Sequence, residues 1–211
     1  MTRLSMVPPL VAVLALTTLA PEADAGARRS RPLRTAQTTC WDASGNVIAC
    51  AGTAQDGDLR RGEPRAYQDN GDGTIRDQRT ALTWEELSDD GSIHDKDAMY
   101  TWAQAFEKID DLNTPPCFAG FCDWRLPNVM ELQTLVSWGN FDPSVSAPFD
   151  TGCVPGCTVL TCSCTLVSGY WSSTSAEHKP ANAHVVGFGT GNVFNVPKTT
   201  TDSVRAVRGG S

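Results

Sequence analysis

Cysteine is the residue type in this chain whose spacing most directly suggests chemistry. Cys40 and Cys50 flank a segment that contains the turn residues Ser44-Gly45-Asn46, and Cys117 and Cys122 enclose a loop of four residues. A turn between two cysteines brings the ends of the segment back together. We therefore predict the disulfides Cys40–Cys50 and Cys117–Cys122.

Four further cysteines fall within twelve residues of one another. They are Cys153, Cys157, Cys162 and Cys164. Four clustered thiolates are a ligand set for Zn²⁺ or copper, but zinc sites combine two short-range pairs separated by a longer arm, which is missing here. In an oxidising compartment two local disulfides are the favoured alternative, and the sequence does not choose the pairing.

Carboxylates offer a second kind of chemistry. Asp69, Asp72 and Asp77 surround a turn rich in Gly and Asn, which suggests a Ca²⁺ loop. An EF-hand register with Gly73 at position 6 places Gln68 at position 1 and Arg79 at position 12, and neither residue is the ligand that the motif requires. A plain hairpin turn is the favoured interpretation, and calcium remains the alternative.

Catalytic sets are weak in this sequence. The three histidines, His94, His178 and His184, are scattered, and neither an HExxH nor a GxSxG motif is present. The pairs Glu85-Glu86 and Asp89-Asp90 are interpreted as solvated charges rather than acid/base dyads. We expect a protein that is not an enzyme and needs no cofactor.

The N-terminal segment has the features of an export signal. Residues 1–25 combine Arg3, an apolar run over 7–20 and the small residues of Ala23-Asp24-Ala25, which predicts a signal peptide cleaved before Gly26. The apolar run is too short to span a bilayer. Export predicts a secreted, periplasmic or cell-surface protein.

Composition divides the rest of the chain. Residues 26–39 carry four arginines and no acid, which predicts a flexible basic linker, with a tether to an anionic surface as the alternative. Residues 40–64 are predicted as a disulfide hairpin extension and residues 65–211 as the main domain. The formal charge of the chain is −7, and residues 40–211 hold 12 Lys+Arg against 22 Asp+Glu. This acidity excludes a nucleic-acid binder, which needs clustered cations.

Periodicity predicts two helices followed by short strands. Met99, Trp102, Phe106 and Ile109 form one apolar stripe in a helix over 95–112. A second helix is expected from Asn128 to about Ser137, where Asn128 and Glu131 fit a capping box. The expected strands are Thr74–Asp77, Leu82–Trp84, Tyr170–Thr174, Ala183–Phe188, Val193–Val196 and Ser203–Arg208. This pattern predicts an α+β fold with small antiparallel sheets.

Five phrases of the sequence resemble one bacterial family in order and spacing. They are Asp69-Asn70-Gly71-Asp72-Gly73-Thr74, Leu82-Thr83-Trp84, Asp123-Trp124-Arg125-Leu126-Pro127 with Glu131-Leu132, Tyr170-Trp171-Ser172-Ser173-Thr174, and Ser203 to Gly210. Over roughly residues 65–210 the chain resembles the C-terminal domain of the Legionella collagen-like protein. The resemblance implies a C-type-lectin-like fold in a bacterial surface or secreted protein and, in the named member, trimeric adhesion to sulfated glycans. This chain lacks the collagen-like stalk, and its acidic domain would repel sulfated polyanions.

Two of these phrases contain candidate site residues. Trp124 is expected in the core. Arg125 needs a carboxylate partner, for which Glu131 and Asp123 are the candidates. A bidentate pair would fix the helix to the preceding strand. Trp171 with Ser172 and Ser173 could stack on a sugar and bind its hydroxyls, although a tryptophan in a strand more often belongs to the core.

We therefore expect an exported, non-catalytic recognition or adhesion module whose partner is a glycan or a cell-surface protein. One alternative is an oxidase similar to formylglycine-generating enzymes, for which Cys162 and Cys164 are the only suitably spaced cysteines. The other is a structural surface protein that assembles into a homo-oligomer.

Overall fold

The computed structural model describes residues 32–210 and has an α+β architecture. Its helices are α1 (Asp56–Leu59), α2 (Trp102–Leu112) and α3 (Val129–Leu135), with 3₁₀ turns at Phe118–Gly120 and Ala147–Phe149. The strands are β1 (Cys40–Trp41), β2 (Val47–Ile48), β3 (Tyr67–Asp69), β4 (Thr74–Asp77), β5 (Leu82–Glu85), β6 (Gly169–Ser175), β7 (Asn182–Gly187), β8 (Asn192–Pro197) and β9 (Val207–Gly209).

Three antiparallel sheets are built from these strands. β1 and β2 form the N-terminal hairpin, β3-β4-β5-β9 form a four-stranded sheet, and β6-β7-β8 form a three-stranded sheet. β9 comes from the end of the chain and pairs with β5, with Trp84 opposite Val207. The C-terminal residues therefore close the sheet that the first strands of the domain begin.

Two strands of the three-stranded sheet, β6 and β7, are largely buried and organise the core, whereas the edge strand β8 is more exposed. Tyr170 and Val186 belong to one apolar cluster, with Leu132 and Leu135 of α3. Their strand neighbours Trp171 and Val185 belong to a second cluster, which includes α2 and Trp124. Successive side chains of a strand point to opposite faces, so α2 and α3 cover opposite faces of this sheet.

The first long helix is shorter than its periodicity predicts. It starts at Trp102, because the Thr101 side chain accepts a hydrogen bond from Gln104 N and the Gln104 side chain accepts one from Thr101 N, a capping box. Before it, both oxygens of Asp95 accept backbone N–H bonds, from Gly91 and Asp97, and hold an irregular loop. The capping box of α3, made by Asn128 and Glu131, is present as predicted.

Four disulfides are present. Cys40–Cys50 and Cys117–Cys122 are the pairs that the spacing predicts. In the clustered group, Cys153 bonds Cys164 and Cys157 bonds Cys162, so the smaller loop is nested within the larger. Because each of these sulfurs is bonded to another sulfur, the group offers no thiolate to a metal ion.

The segment before the hairpin lies against the domain. The predicted signal peptide and residues 26–31 of the predicted linker are outside the described residues. In the described part, Arg34 N donates to Glu63 O and Glu63 N donates to Pro32 O, both at 2.9 Å. Gly62 has φ +104°, and a Cβ there would lie 2.6 Å from the Pro32 carbonyl oxygen. Residues 32–39 are thus held by backbone hydrogen bonds and close packing rather than free.

Within residues 32–210, no helix combines the length and the apolar character needed to cross a bilayer.

Candidate functional site

The sugar-stacking hypothesis for Trp171, Ser172 and Ser173 is wrong, because the structure uses all three inside the fold. Trp171 has 0% of its surface exposed, and its Nε1 donates to Tyr100 O at 2.7 Å. Ser172 Oγ donates to His184 O at 2.7 Å, and Ser173 Oγ donates to Pro127 O at 3.3 Å. A strand that is covered on both faces leaves no open groove for a ligand at these residues.

The charged residues around Trp124 form two separate ion pairs. Arg125 binds Glu131 through two parallel hydrogen bonds, Nη1 to Oε2 at 2.8 Å and Nη2 to Oε1 at 2.6 Å. Asp123, the other candidate partner, instead binds Arg208 at 2.7 Å. Arg125 Nη2 also donates to Gly209 O at 3.0 Å, so one side chain joins α3 to β9. Trp124 is buried in the core, as expected.

Glu131 is held in its ionised form by these contacts. Burial alone raises the pKa of Glu131, but the hydrogen bonds from Arg125 and from Asn128 N, with the charge of Arg125, lower the pKa below its ordinary value. The pair has an architectural role, since every hydrogen bond that Arg125 makes is to Glu131 or to Gly209 O.

The pair Glu85-Glu86 is not a solvated charge pair, which corrects the sequence interpretation. Glu85 is fully buried, and its carboxylate lies 2.9 Å from Lys108 Nζ and 2.7 Å from His94 Nδ1. Ala206 N donates to it at 2.8 Å. Lys108 lies on the buried face of α2, and its spacing from Ala105 and Leu112 is the sequence signal for this burial.

This buried network is saturated with internal partners. Burial alone raises the pKa of Glu85, but the charge of Lys108 and the contact with His94 outweigh it and lower the pKa to about 2. Both Glu85 oxygens already accept hydrogen bonds. The network therefore ties β5 to α2.

Glu86 faces a different environment. Its side chain is 5% exposed, and Glu86 N donates to Gly73 O at 2.9 Å. Burial, with the negative charges of Asp69 and Asp72, raises the pKa of Glu86 to about 7, against the attraction of Arg205. Nothing in the sequence indicated that the pKa of Glu86 would be raised.

The three aspartates of the calcium hypothesis do not form one site. Tyr67 pairs with Asp77 and Asp69 pairs with Ile75, so Asp77 lies at the far end of the β3–β4 hairpin from the turn. Its carboxylate accepts bonds from Arg79 N and Thr80 Oγ1. Asp69 and Asp72 each accept a hydrogen bond within the turn, from Gly71 N and Thr74 Oγ1.

An open surface is formed instead by the loop that follows α3. Asp142 N donates to Gly189 O at 3.2 Å, and Ser144 N donates to Phe188 O at 2.6 Å. The ring of Trp138 lies beside Gly191, where a Cβ would meet it at 3.5 Å. Residues 138–150 therefore lie against the β7–β8 turn; we call this segment, with Val167 beside it, the loop surface.

Aromatic and polar groups are combined on the loop surface. Phe141 is 71% exposed and Trp138 is 46% exposed, although both belong to the large apolar residues. Phe141 lines a concavity of about 450 Å³ with Asn140, Asp150 and main chain between them. No motif in the sequence marks this surface, and its only signal is a pair of aromatic residues, Trp138 and Phe141, in a loop that contains Pro and Gly.

A comparison with protein families identifies the family of this chain. The profile described as the Lcl C-terminal domain matches residues 73–208, more than half of the chain. The chain belongs to the Lcl C-terminal domain family. No curated protein sequence matches it.

The structural features fall into two groups, those inside residues 73–208, which match the Lcl C-terminal domain, and those outside them. The loop surface, the Arg125–Glu131 pair and the three disulfides that follow residue 73 lie within the match. The Cys40–Cys50 hairpin and residues 32–39 lie outside it. Family membership and several disulfides are consistent with an extracellular or secreted protein.

Proposed function

We propose that this Lcl C-terminal domain protein is an exported bacterial recognition and adhesion module. It binds a glycan, or a cell-surface protein bearing one, through the loop surface and performs no reaction. We further propose that its α+β architecture is a C-type-lectin-like fold. Support comes from the family, from the disulfides and from the saturated state of the Glu85 network, the strongest candidate for a catalytic group.

The exposure of Phe141 is the observation that carries this proposal. An aromatic ring that is 71% exposed, beside an amide and a carboxylate, matches what a sugar needs. The ring stacks on the apolar C–H face, while Asn140 and Asp150 hydrogen-bond hydroxyls. The 22 acids against 12 bases in residues 40–211 favour neutral sugars over polyanions, which this field would repel.

Glycan-array binding of the purified chain, with Phe141→Ala as the variant, tests the proposal. We expect binding to at least one neutral glycan and a loss of about tenfold or more in the variant, because ring stacking contributes on the order of 1–2 kcal/mol. Binding should persist in EDTA, since no cofactor is proposed.

Phe121→Ala is the matched control, because Phe121 is also a partly exposed phenylalanine and lies outside the loop surface, in the loop closed by Cys117–Cys122. Binding should be unchanged in that variant. Absence of binding to every glycan and cell-surface target, or equal losses in both variants, would refute the proposal.

The two alternatives, an oxidase and a structural protein that assembles with itself, differ in how far the structure supports them. An oxidase would require a reactive thiol, and Cys162 and Cys164 are each bonded to another cysteine, so no observation favours it. Self-assembly is compatible with the exposed Trp138, Phe141 and Val167. Light scattering separates it from a monomeric module, since assembly would give a mass that is a multiple of the chain.

A further inference from the structure

A second concavity, separate from the loop surface, has a different chemistry. It encloses about 330 Å³ and is lined by Arg34, Arg60 and Arg65 with Thr35, Gln37 and Ser146. It lies between residues 34–38, residues 60–65 and one residue of the loop after α3. Most of its lining is outside residues 73–208, so it is a feature of this chain added to the family domain.

The three arginines are not neutralised by the protein. Within residues 32–210, none of them forms an ion pair, whereas Arg125 and Arg208 each bind a carboxylate. No acidic side chain lines the cavity. One lining side chain contacts an acid, since Thr35 Oγ1 donates to Asp56 Oδ2. Three cations around one cavity are unexpected in a chain of net charge −7.

Backbone carbonyls position all three guanidinium groups, and the Nη groups of Arg34 and Arg60 make no hydrogen bond within residues 32–210. Arg34 Nε donates to Gly62 O at 2.9 Å, and Arg60 Nε donates to Gly57 O at 3.2 Å. Arg65 donates through Nη1 and Nη2 to the carbonyls of Thr134 and Val136, at the end of α3. Its Nε is buried without a hydrogen-bond partner among the described residues.

The walls of the cavity are held in place. Gly62 lies against Pro32, and a Cβ at Gly139 would clash with the carbonyl oxygen of Ala36. Arg65 anchors the third side to α3. Preorganised donors of this kind bind an anion without the cost of ordering the arginines.

We propose that this cavity binds a phosphate group, either free or carried on a small ligand such as a sugar. The guanidinium groups of Arg34 and Arg60 donate to its oxygens, and the Gln37 amide and the Ser146 hydroxyl supply further donors. This goes beyond the proposed function, because it concerns a different site and a charged ligand class.

Calorimetric titration of the purified full chain with inorganic phosphate, glucose 6-phosphate and glucose tests the site. We expect both phosphates to bind in this cavity and glucose, which carries no anion, not to compete with them. Tighter binding of glucose 6-phosphate identifies an anion carried on a sugar, and equal binding identifies the free anion; both outcomes support the site. No binding of either phosphate would overturn the proposal.

Variants distinguish phosphate binding in this cavity from a general effect of the protein's net charge. Arg60→Gln and Arg34→Gln should each weaken phosphate binding about tenfold, whereas Arg60→Lys should retain part of it. Arg76→Gln removes the same charge from an exposed strand position and should leave binding unchanged. Equal weakening in Arg60→Gln and Arg76→Gln would show that only net charge matters and would overturn the proposal. The test does not use the loop surface, so the two proposals fail independently.

Discussion

The protonation of individual carboxyl groups in this protein depends on the fold around them. Glu85 and Glu86 are neighbours in the chain, yet the pKa of Glu85 is lowered to about 2 and that of Glu86 is raised to about 7. The difference arises because Glu85 lies beside Lys108 and His94, while Glu86 is buried toward Asp69 and Asp72. Identical side chains one residue apart therefore respond to pH in opposite ways.

A pH-dependent stability follows from Glu86. Because its pKa is raised above the unfolded value, its contribution to stability is full below pH 4.5 and is lost as the pH rises through about 7. We expect Glu86→Gln to raise the free energy of unfolding at pH 8 by about 1–2 kcal/mol, a figure reduced because solvent screens the neighbouring aspartates.

Urea unfolding from pH 5 to pH 8, in EDTA, measures this effect. The difference between Glu86→Gln and the natural chain should be larger at pH 8 than at pH 5. A constant difference across that range would contradict the assignment. Glu177→Gln, at an exposed position, is the control and should show no such dependence.

At the scale of elements, α3 is fixed by contacts that one glutamate makes at the helix start. Glu131 accepts from Asn128 N to complete the capping box and binds Arg125 in a bidentate pair. Arg125 in turn contacts β9 through Gly209 O. The end of α3 is held by Arg65, so arginines from two other segments fix the position of this seven-residue helix.

Glu131→Ala should therefore destabilise the protein. We expect a loss of about 2 kcal/mol, roughly half from the helix cap and half from the ion pair, which is partly exposed and so weaker than a buried one. Because the pKa of Glu131 is lowered, this contribution is present above the unfolded value and is lost as the pH falls through the lower folded value.

Thermal or chemical unfolding at pH 7 and at pH 3 checks both parts of this prediction. Glu177→Ala, which changes an exposed glutamate, should have little effect at either pH. A loss for Glu131→Ala that is as large at pH 3 as at pH 7 would show that the charge of Glu131 does not stabilise α3.

At the scale of the whole molecule, apolar residues pack on both sides of β6 and β7. Long loops pack onto this core, and disulfides close some of them. The loop between α3 and β6 contains the nested pairs Cys153–Cys164 and Cys157–Cys162, and Cys164 is fully buried in the first core cluster. Arg205 Nη2 donates to Cys164 O and to Thr165 Oγ1, which connects this loop to the core. The loop surface lies in the same connection.

Replacing Cys153 and Cys164 by serine should destabilise the whole domain. Closing a loop of this length contributes about 3 kcal/mol by the chain-entropy estimate, and a buried serine at position 164 adds to the loss. Unfolding monitored by near-UV circular dichroism measures it.

The Cys40→Ser/Cys50→Ser variant is the comparison, since that hairpin lies outside residues 73–208. It should melt the hairpin and leave the unfolding of the remainder, and glycan binding, nearly unchanged. Equal effects of the two double variants would indicate that the hairpin and the family domain unfold as one unit.

Local features were determined by the sequence alone. The Cys40–Cys50 and Cys117–Cys122 bonds and the Asn128 capping box join residues at most ten positions apart. Such contacts depend on spacing and turn residues, which a sequence displays directly. The same kind of pattern indicated α2, α3 and most of the strands, but not α1 or β3, and it placed the last strand at Ser203–Arg208 instead of Val207–Gly209. The sequence left Asp123 and Glu131 as alternative partners of Arg125, and the structure selects Glu131.

Only the tertiary structure decided which polar and aromatic residues are buried. Trp171 is enclosed because α2 and α3 cover opposite faces of its sheet, and Glu85 meets Ala206 N across 121 positions of the chain. The exposure of Phe141 depends on how its loop lies against the β7–β8 turn. Burial is a sum over distant segments, so a residue's type and its immediate neighbours do not determine whether it faces the core or a ligand.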